Sequence, residues 1–344
     1  KFRGGSEDWL DDQDKSNHEG SKPKKKSSKA TFIAPEKANA TVVEVFPKQA
    51  RVWMDTVSAG EKPELLCGYR RAQVIQNDEN VRERSPVAVG DRVLVTKLNP
   101  QDGIIEAVCS RRNFLARPAP GKTQKIDEML ILHVVAANVD LLVIVASVKQ
   151  PDFSPGLIDR YLIAAQAAGI DKMICVSKSD LLDHSDEGGD WEEYRKIGFN
   201  VQLVSGKTQL GLSTILSKLN DKTVVFCGHS GVGKTSLFRS ILGKDVGKTG
   251  EVNDQTGKGR HTTTSSILYK QANSNLIDTP GVREFGLIGV SAENLASYFP
   301  EFEKLSCTTA RGCSHIEQPD CQAVELFRYH SFRRIHESLL EIEA

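Results

Sequence analysis

Residues 228–237 read GHSGVGKTSL and residues 278–281 read DTPG. The first fits G-x-x-x-x-G-K-[ST], with the apolar run TVVFC before it and a helical pattern from Lys234 after it, which is the context a phosphate-binding loop requires. The chemistry implied is capture of a nucleoside polyphosphate. Gly228 opens the loop, and the backbone N–H groups of His229, Ser230, Gly231, Val232, Gly233, Lys234 and Thr235 would converge on phosphate, with Ser236 next in the helix. The Lys234 ammonium would neutralise the β and γ groups, a catalytic as well as a binding role, and the Thr235 hydroxyl would ligate Mg²⁺. A Cβ at Gly233 is expected to obstruct the wrap. Asp278 closes the strand-like NLID, where its carboxylate would hold the same magnesium, usually through water, while the Gly281 N–H meets the γ-phosphate. A bare strand end with a Pro-Gly turn is the plain alternative.

Many GTPases carry a glutamine after that glycine to orient the attacking water; here the residue is Val282, which cannot hydrogen-bond it. The segment GRHTTT, 259–264, offers His261 instead, with threonines available to cover the metal. The base would be read by VSKSD, 176–180, which resembles the guanine-reading N-K-x-D segment. Asp180 can accept from the guanine N1–H and exocyclic amine, a donor pair adenine lacks, and the Lys178 stem can lie over the base. Ser177 stands where asparagine is usual; its shorter side chain is expected to lose reach to the base and to neighbouring loops. Ser205 and Gly206, in VSGKTQLGL, would back the base.

In chain order the base segment precedes the phosphate loop. Spatial adjacency, not chain order, makes a site, so a circular permutation explains this: each motif still falls at the C-terminal edge of a strand. DTPG then leads through VREFGL into the C-terminal segment, so a movement driven by the γ-phosphate could pull directly on a neighbouring domain.

The elements that must position these motifs are legible as texture. From 130 onward, buried strand patterns (VDLLVIVASV, KMICVS, VQLVS, TVVFCG) alternate with helical ones at 155–169, 211–219 and 234–242, implying a mainly parallel sheet with helices on both faces. From 40 to 117, five short runs (ATVVEVF, ARVWM, ELLCGY, DRVLVTKL, GIIEAVC) between turn residues predict a small β-barrel of the OB type. Its arginines at 70, 71, 111 and 112 could contact phosphate or be solvated edge charges, and Trp53 and Tyr69 are its candidate stacking aromatics. Residues 1–39 read as a disordered tail. Near the other end, Cys307, Cys313, His315 and Cys321 are four soft ligands suited to structural, tetrahedral Zn²⁺. The run AVELFRYHSFRRIHESLLEIE predicts a helix whose Arg328, Arg333 and Arg334 form either a phosphate-facing stripe or a solvated face.

Bulk properties exclude some classes. The 344 residues are 39% hydrophobic, enough for ordinary cores, and the formal net charge is +0, so any RNA-binding surface must arise from local clustering. No run approaches the ~18 apolar residues of a membrane span. Seven cysteines in a chain this long do not suggest a disulfide scaffold. The first residue is Lys, so a processed form or fragment is expected.

Barrel, permuted GTPase and Cys₃His segment, in that order, resemble the RsgA/YjeQ family, the ribosome small-subunit-dependent GTPases. VGD, PGLIDRYL, GHSGVGKTSL, GRHTTT, DTPGVREFGL and the zinc ligands carry the resemblance over 40–344; Ser177 and one extra residue between Cys307 and Cys313 depart from it. It implies a multidomain chain: tail 1–39, OB-fold barrel 40–117, circularly permuted P-loop GTPase 125–289, and zinc-binding helical segment 290–344. It further implies GTP/GDP, Mg²⁺ and Zn²⁺ as ligands. The partners would be the small ribosomal subunit and its rRNA, with no membrane, and the chain would be a monomer. Weak intrinsic hydrolysis stimulated by that subunit, and a role for His261 and Thr263, also follow from the family. The alternatives are a non-catalytic GTP-dependent RNA-binding scaffold and, disfavoured by Asp180, a metabolite kinase or ATPase. The chloroplast stroma is the expected location, with the bacterial cytoplasm or mitochondrion as alternatives.

Overall fold

The computed structural model describes residues 33–69, 77–78, 81–83, 85–118, 125–126, 129–183, 188–243, 266–279, 285–305, 314–316 and 321–343. The five runs singled out between 40 and 117 are the five barrel strands: β1 (Ala40–Phe46), β2 (Gln49–Met54), β3 (Glu64–Gly68), β6 (Arg92–Lys97) and β7 (Asp102–Val108), with β4 (Asn77–Asp78) and β5 (Val81–Glu83) intervening in sequence. Their neighbour order is β1-β2-β3-β7-β6, and β6 pairs back onto β1, so the barrel closes. Only β3 and β7 run parallel within it. The strands alternate because one face fills the barrel: Ala50 and Val52 from β2, Val93 and Val95 from β6, and Leu65 and Cys67 from β3 are all buried.

A second, smaller sheet in the order β4-β5-β10-β8 was not separable in the sequence. It contains β8 (Phe114–Pro118), β9 (Lys125–Ile126) and β10 (Met129–Ala137), with β9 pairing on β10.

The central sheet is ordered β13-β12-β11-β14-β16-β15. These strands are β11 (Leu141–Ser147), β12 (Asp171–Ser177), β13 (Val201–Leu203), β14 (Thr223–Cys227), β15 (Ile267–Gln271) and β16 (Ser274–Asp278). All pairings are parallel except the β15–β16 hairpin. Helices α1 (Pro155–Ala167), α2 (Trp191–Ile197), α3 (Leu212–Leu219) and α4 (Lys234–Leu242) cover both faces. Leu142 and Ile144 of β11, Ile174 of β12 and Val225 of β14 pack under α1 and α2, through Ile158, Leu162, Trp191 and Tyr194. Their odd-numbered or even-numbered neighbours, Val143, Met173, Cys175 and Phe226, pack under α3 and α4, through Ile215, Leu219, Leu237 and Ile241. Burial of both faces is why β11 reads as an unbroken apolar run.

Beyond 290 an aromatic cluster, with Phe299 stacked on Phe302 and Phe332 edge-on to both, joins Ile163 of α1. The predicted long C-terminal helix is shorter than the run suggested. Residues Gln322–Glu325 form a 3₁₀ turn and the helix α5 spans Tyr329–Glu343.

Arg328, expected in an outward stripe, is instead fully buried. Its Nε donates to Asp159 of α1 at 2.6 Å and its Nη1 to Glu301 at 3.0 and 3.2 Å. A buried guanidinium needs such partners, which amphipathic spacing does not reveal. Arg111 is likewise internal, donating to both oxygens of buried Asp91 at 2.6 and 2.9 Å, and Arg112 pairs with Asp140 at 2.9 Å. Arg70 and Arg71 lie outside the described residues. Trp53 is no free stacking platform: it is half-buried at the junction with the central sheet, with the Lys270 ammonium 4.9 Å from its ring. The Tyr69 hydroxyl donates to the Phe46 carbonyl at 3.2 Å.

Candidate functional site

Parallel strands deliver their C-terminal ends to one edge, where ligands of open α/β sheets bind. At this edge β14 ends beside the phosphate loop, β16 ends at Asp278, β12 ends at Ser177, and β13 runs into Ser205. The inverted motif order is thereby reconciled, because β12 and β14 flank β11 on opposite sides.

The phosphate loop turns through left-handed backbone at Gly231 (φ 83°) and Gly233 (φ 88°). An added Cβ at Gly228 would lie 2.1 Å from the Val145 carbonyl oxygen. At Gly233 the nearest atom would be Ser177 Oγ at 3.4 Å, so there the φ value, not crowding, requires glycine. Helix α4 then starts at Lys234, and its first turn presents N–H groups toward the loop mouth, as a helix N-terminus does. Thr235, Ser236, His229 and Ser230 are exposed there. The Lys234 ammonium donates to the carbonyls of Gly228 (2.7 Å) and His229 (2.9 Å), so it lies folded over its own loop. Burial lowers its pKa, and burial raises that of Asp278; each is the other's opposing charge. Next to Asp278, the buried Thr279 hydroxyl donates to the Phe226 carbonyl at 2.8 Å and ties the two strand ends together.

On the base side, the Ser205 hydroxyl donates to the Asp180 carboxylate at 2.6 Å and accepts from the N–H groups of Lys207 and Thr208 at 3.2 and 3.1 Å. Chiefly that hydrogen bond holds the Asp180 carboxyl below the usual carboxylate range, so the group stays an ionised acceptor facing solvent. Gly206 follows Ser205, and its carbonyl accepts from Gln209 at 2.8 Å. Lys178 adopts left-handed backbone (φ 58°), and its ammonium donates to the Gln150 carbonyl. Ser177, expected to lose reach to its neighbours, does not: it is buried and its hydroxyl donates to the Val232 carbonyl of the phosphate loop.

Gln150 and Thr279 were missed by sequence reasoning. The first accepts through its carbonyl and leaves no signal; the second lies inside DTPG, where a hydroxyl beside Asp278 is a signal that could have found it. His261, Thr263 and Gly281 lie outside the described residues, as does Val282.

Of the four residues expected to bind zinc, Cys307 and Cys313 also lie outside the described residues, and among the described residues no group of three or more metal-ligating side chains gathers. His315 and Cys321 are both buried and face each other, with Nδ1 and Sγ 3.3 Å apart. The donor types fit a soft tetrahedral metal, with half the set in view. No helix among the described residues is long and apolar enough to cross a membrane.

Residues 108–288 match the RsgA GTPase family. The chain is 34% identical over 299 residues to the small ribosomal subunit biogenesis GTPase RsgA of Chlorobaculum parvum, covering 83% of this chain and 94% of that protein. Among solved structures it is similar to YjeQ from Thermotoga maritima, with a TM-score of 0.62, 26% identity, and coverage of 88% and 98% of the two chains. It is also similar to YloQ, a circularly permuted GTPase, with a TM-score of 0.61, 27% identity, and coverage of 88% and 94%.

Proposed function

The chain belongs to the RsgA GTPase family, and from that membership we propose how its own residues perform the family's work. It hydrolyses GTP to GDP and phosphate in the biogenesis of the small ribosomal subunit, whose rRNA is its partner. The observation that carries the reading is the meeting, at one sheet edge, of an ionised acceptor held by Ser205 with a glycine-turned phosphate loop.

In this assignment Asp180 reads the guanine N1–H and amine, and Lys178 covers the base. Residues 228–236 wrap the phosphates, and Lys234 leaves its loop carbonyls to meet the β and γ oxygens. Asp278 and Thr235 would hold Mg²⁺, and the half-buried position of Asp278 opposite Lys234 supports that pairing of charges. Bound there, the ion would neutralise phosphate charge. His261 and Thr263 are assigned to positioning the attacking water in place of a side chain that Val282 cannot supply, with groups from the small subunit completing the arrangement. The Gly281 N–H is assigned to the γ-phosphate.

Phosphate release should rise strongly when purified small subunits are added; equal turnover with and without them would remove the stimulation. His261→Ala should lower stimulated turnover by roughly 10²-fold while leaving GDP binding unchanged. Zn²⁺ is assigned to Cys307, Cys313, His315 and Cys321, supported by the facing of the last two. Elemental analysis should find one zinc per chain, lost in Cys321→Ser together with order around α5; a metal-free, fully folded chain would refute it.

A further inference from the structure

Ser177 occupies the position from which an asparagine would read the base, yet its surroundings give it another task. Its side chain is 4% exposed, and its hydroxyl proton is committed to the Val232 carbonyl. Across the same gap a Cβ built on Gly233 would lie 3.4 Å from the Ser177 oxygen, so the phosphate loop is packed directly against this hydroxyl. The Ser177 carbonyl accepts from Val148 N–H at 3.1 Å, and the N–H two residues on, of Ser179, donates to the Val204 carbonyl at 3.0 Å. The base segment is thus fastened to three loops: the one after β11, the phosphate loop, and the one carrying Ser205.

We propose that Ser177 is a positioning residue that fixes the spacing between the base-reading segment and the phosphate loop, and that it makes no contact with the base. This rests on the guanine-nucleotide reading of the site. A hydroxyl has one proton to donate, and here it faces the loop; an asparagine amide has two, and could serve loop and base together. With serine, discrimination between bases is left to Asp180, whose acceptor geometry is set by Ser205. Ser177 contributes instead to the tightness with which any nucleotide spanning both ends is held, because both ends must be at the right separation before the ligand arrives.

The test is calorimetric binding of three diphosphates to the full chain: GDP, 7-deaza-GDP, which lacks the N7 acceptor, and 2-aminopurine riboside diphosphate, which lacks the O6 acceptor. Ser177→Ala should weaken all three by the same factor, about three- to tenfold, the loss of one net hydrogen bond. Ser177→Thr, which keeps the hydroxyl, should restore wild-type affinity for all three. If the loss vanishes for the analogue lacking N7 or for the one lacking O6, Ser177 reads that atom and the proposal is overturned. It is equally overturned if no ligand is weakened. Should Ser177→Ala fail to fold, Ser177→Cys, of similar size and a weak donor, replaces it, with a smaller uniform loss expected and the same contrary outcomes. A wild-type chain that binds ADP as tightly as GDP would defeat the guanine reading itself. The equality of factors across ligands would remain measurable.

Discussion

The barrel and the C-terminal segment are both attached to the central sheet, and the two attachments differ in kind. The barrel meets the sheet edge to edge, through pairing of Glu44 on β1 with Ile267 on β15, helped by Lys270 over Trp53. The C-terminal segment is held by a buried ionic cluster: Arg328 and Asp159 are both 0% exposed, Glu301 bonds the same guanidinium, and the Tyr194 hydroxyl donates to Asp159 at 3.0 Å. The Phe299 ring stacks near that guanidinium, 4.4 Å away. Val43 and Val89 of the barrel share the apolar cluster of the sheet, whereas separating the buried Arg328 from its partners would leave an uncompensated charge, a cost that edge pairing and apolar packing do not carry.

The largest effect should come from breaking the ionic joint. Arg328→Ala should cost about 3–5 kcal/mol in urea unfolding, because Asp159 would remain buried without its cation. The double change Asp159→Asn, Arg328→Met should recover much of that. A cost below about 1 kcal/mol for Arg328→Ala would erase the contrast between the joints. Lys270→Met tests the other joint: an exposed cation over an aromatic ring contributes about 0.5–1 kcal/mol, so global stability should barely move. Protection of β1 amides against hydrogen exchange should nonetheless fall, and unchanged protection would show that the contact holds nothing.

The smallest effect concerns pH. Burial raises the Glu44 pKa, and this outweighs the attraction of Arg51, 3.0 Å away; Glu64 adds to the rise. An unfolded glutamate titrates near about 4.3 and the folded one higher, so the folded chain keeps the proton longer. The contribution of Glu44 is then fully present below the unfolded value and is lost as pH rises through the folded one. Glu44→Gln should flatten stability against pH in that window, and an unaltered slope would mean that the carboxyl is effectively solvated.

What the sequence disclosed, and what it hid, follows from the range of the interactions. Period-two alternation in the barrel runs and the unbroken burial of Leu141–Ser147 are local signatures of one or two covered faces, and they were legible. The phosphate loop was legible because glycines, lysine and threonine must sit at fixed spacing. Arg328 misled because a charged residue beside an amphipathic helix looks the same whether it meets water or a carboxylate 169 residues away. Arg111 misled for the same reason, with Asp91 as its partner. Trp53 looked like a platform because nothing near it in sequence announces Lys270. Ser177 looked like a loss of reach because its new partner is a main-chain carbonyl, and carbonyls carry no sequence signal.

The strand order also bears on how the chain is made. Because translation proceeds from the N-terminus, β11, β12 and β13 leave the peptidyl tunnel as consecutive, mutually pairing strands before any phosphate-binding residue exists. The nascent half-sheet therefore has to hold together on its own packing. GTP can act as a folding ligand only after β14 and the β15–β16 hairpin have been added along the open side of β11.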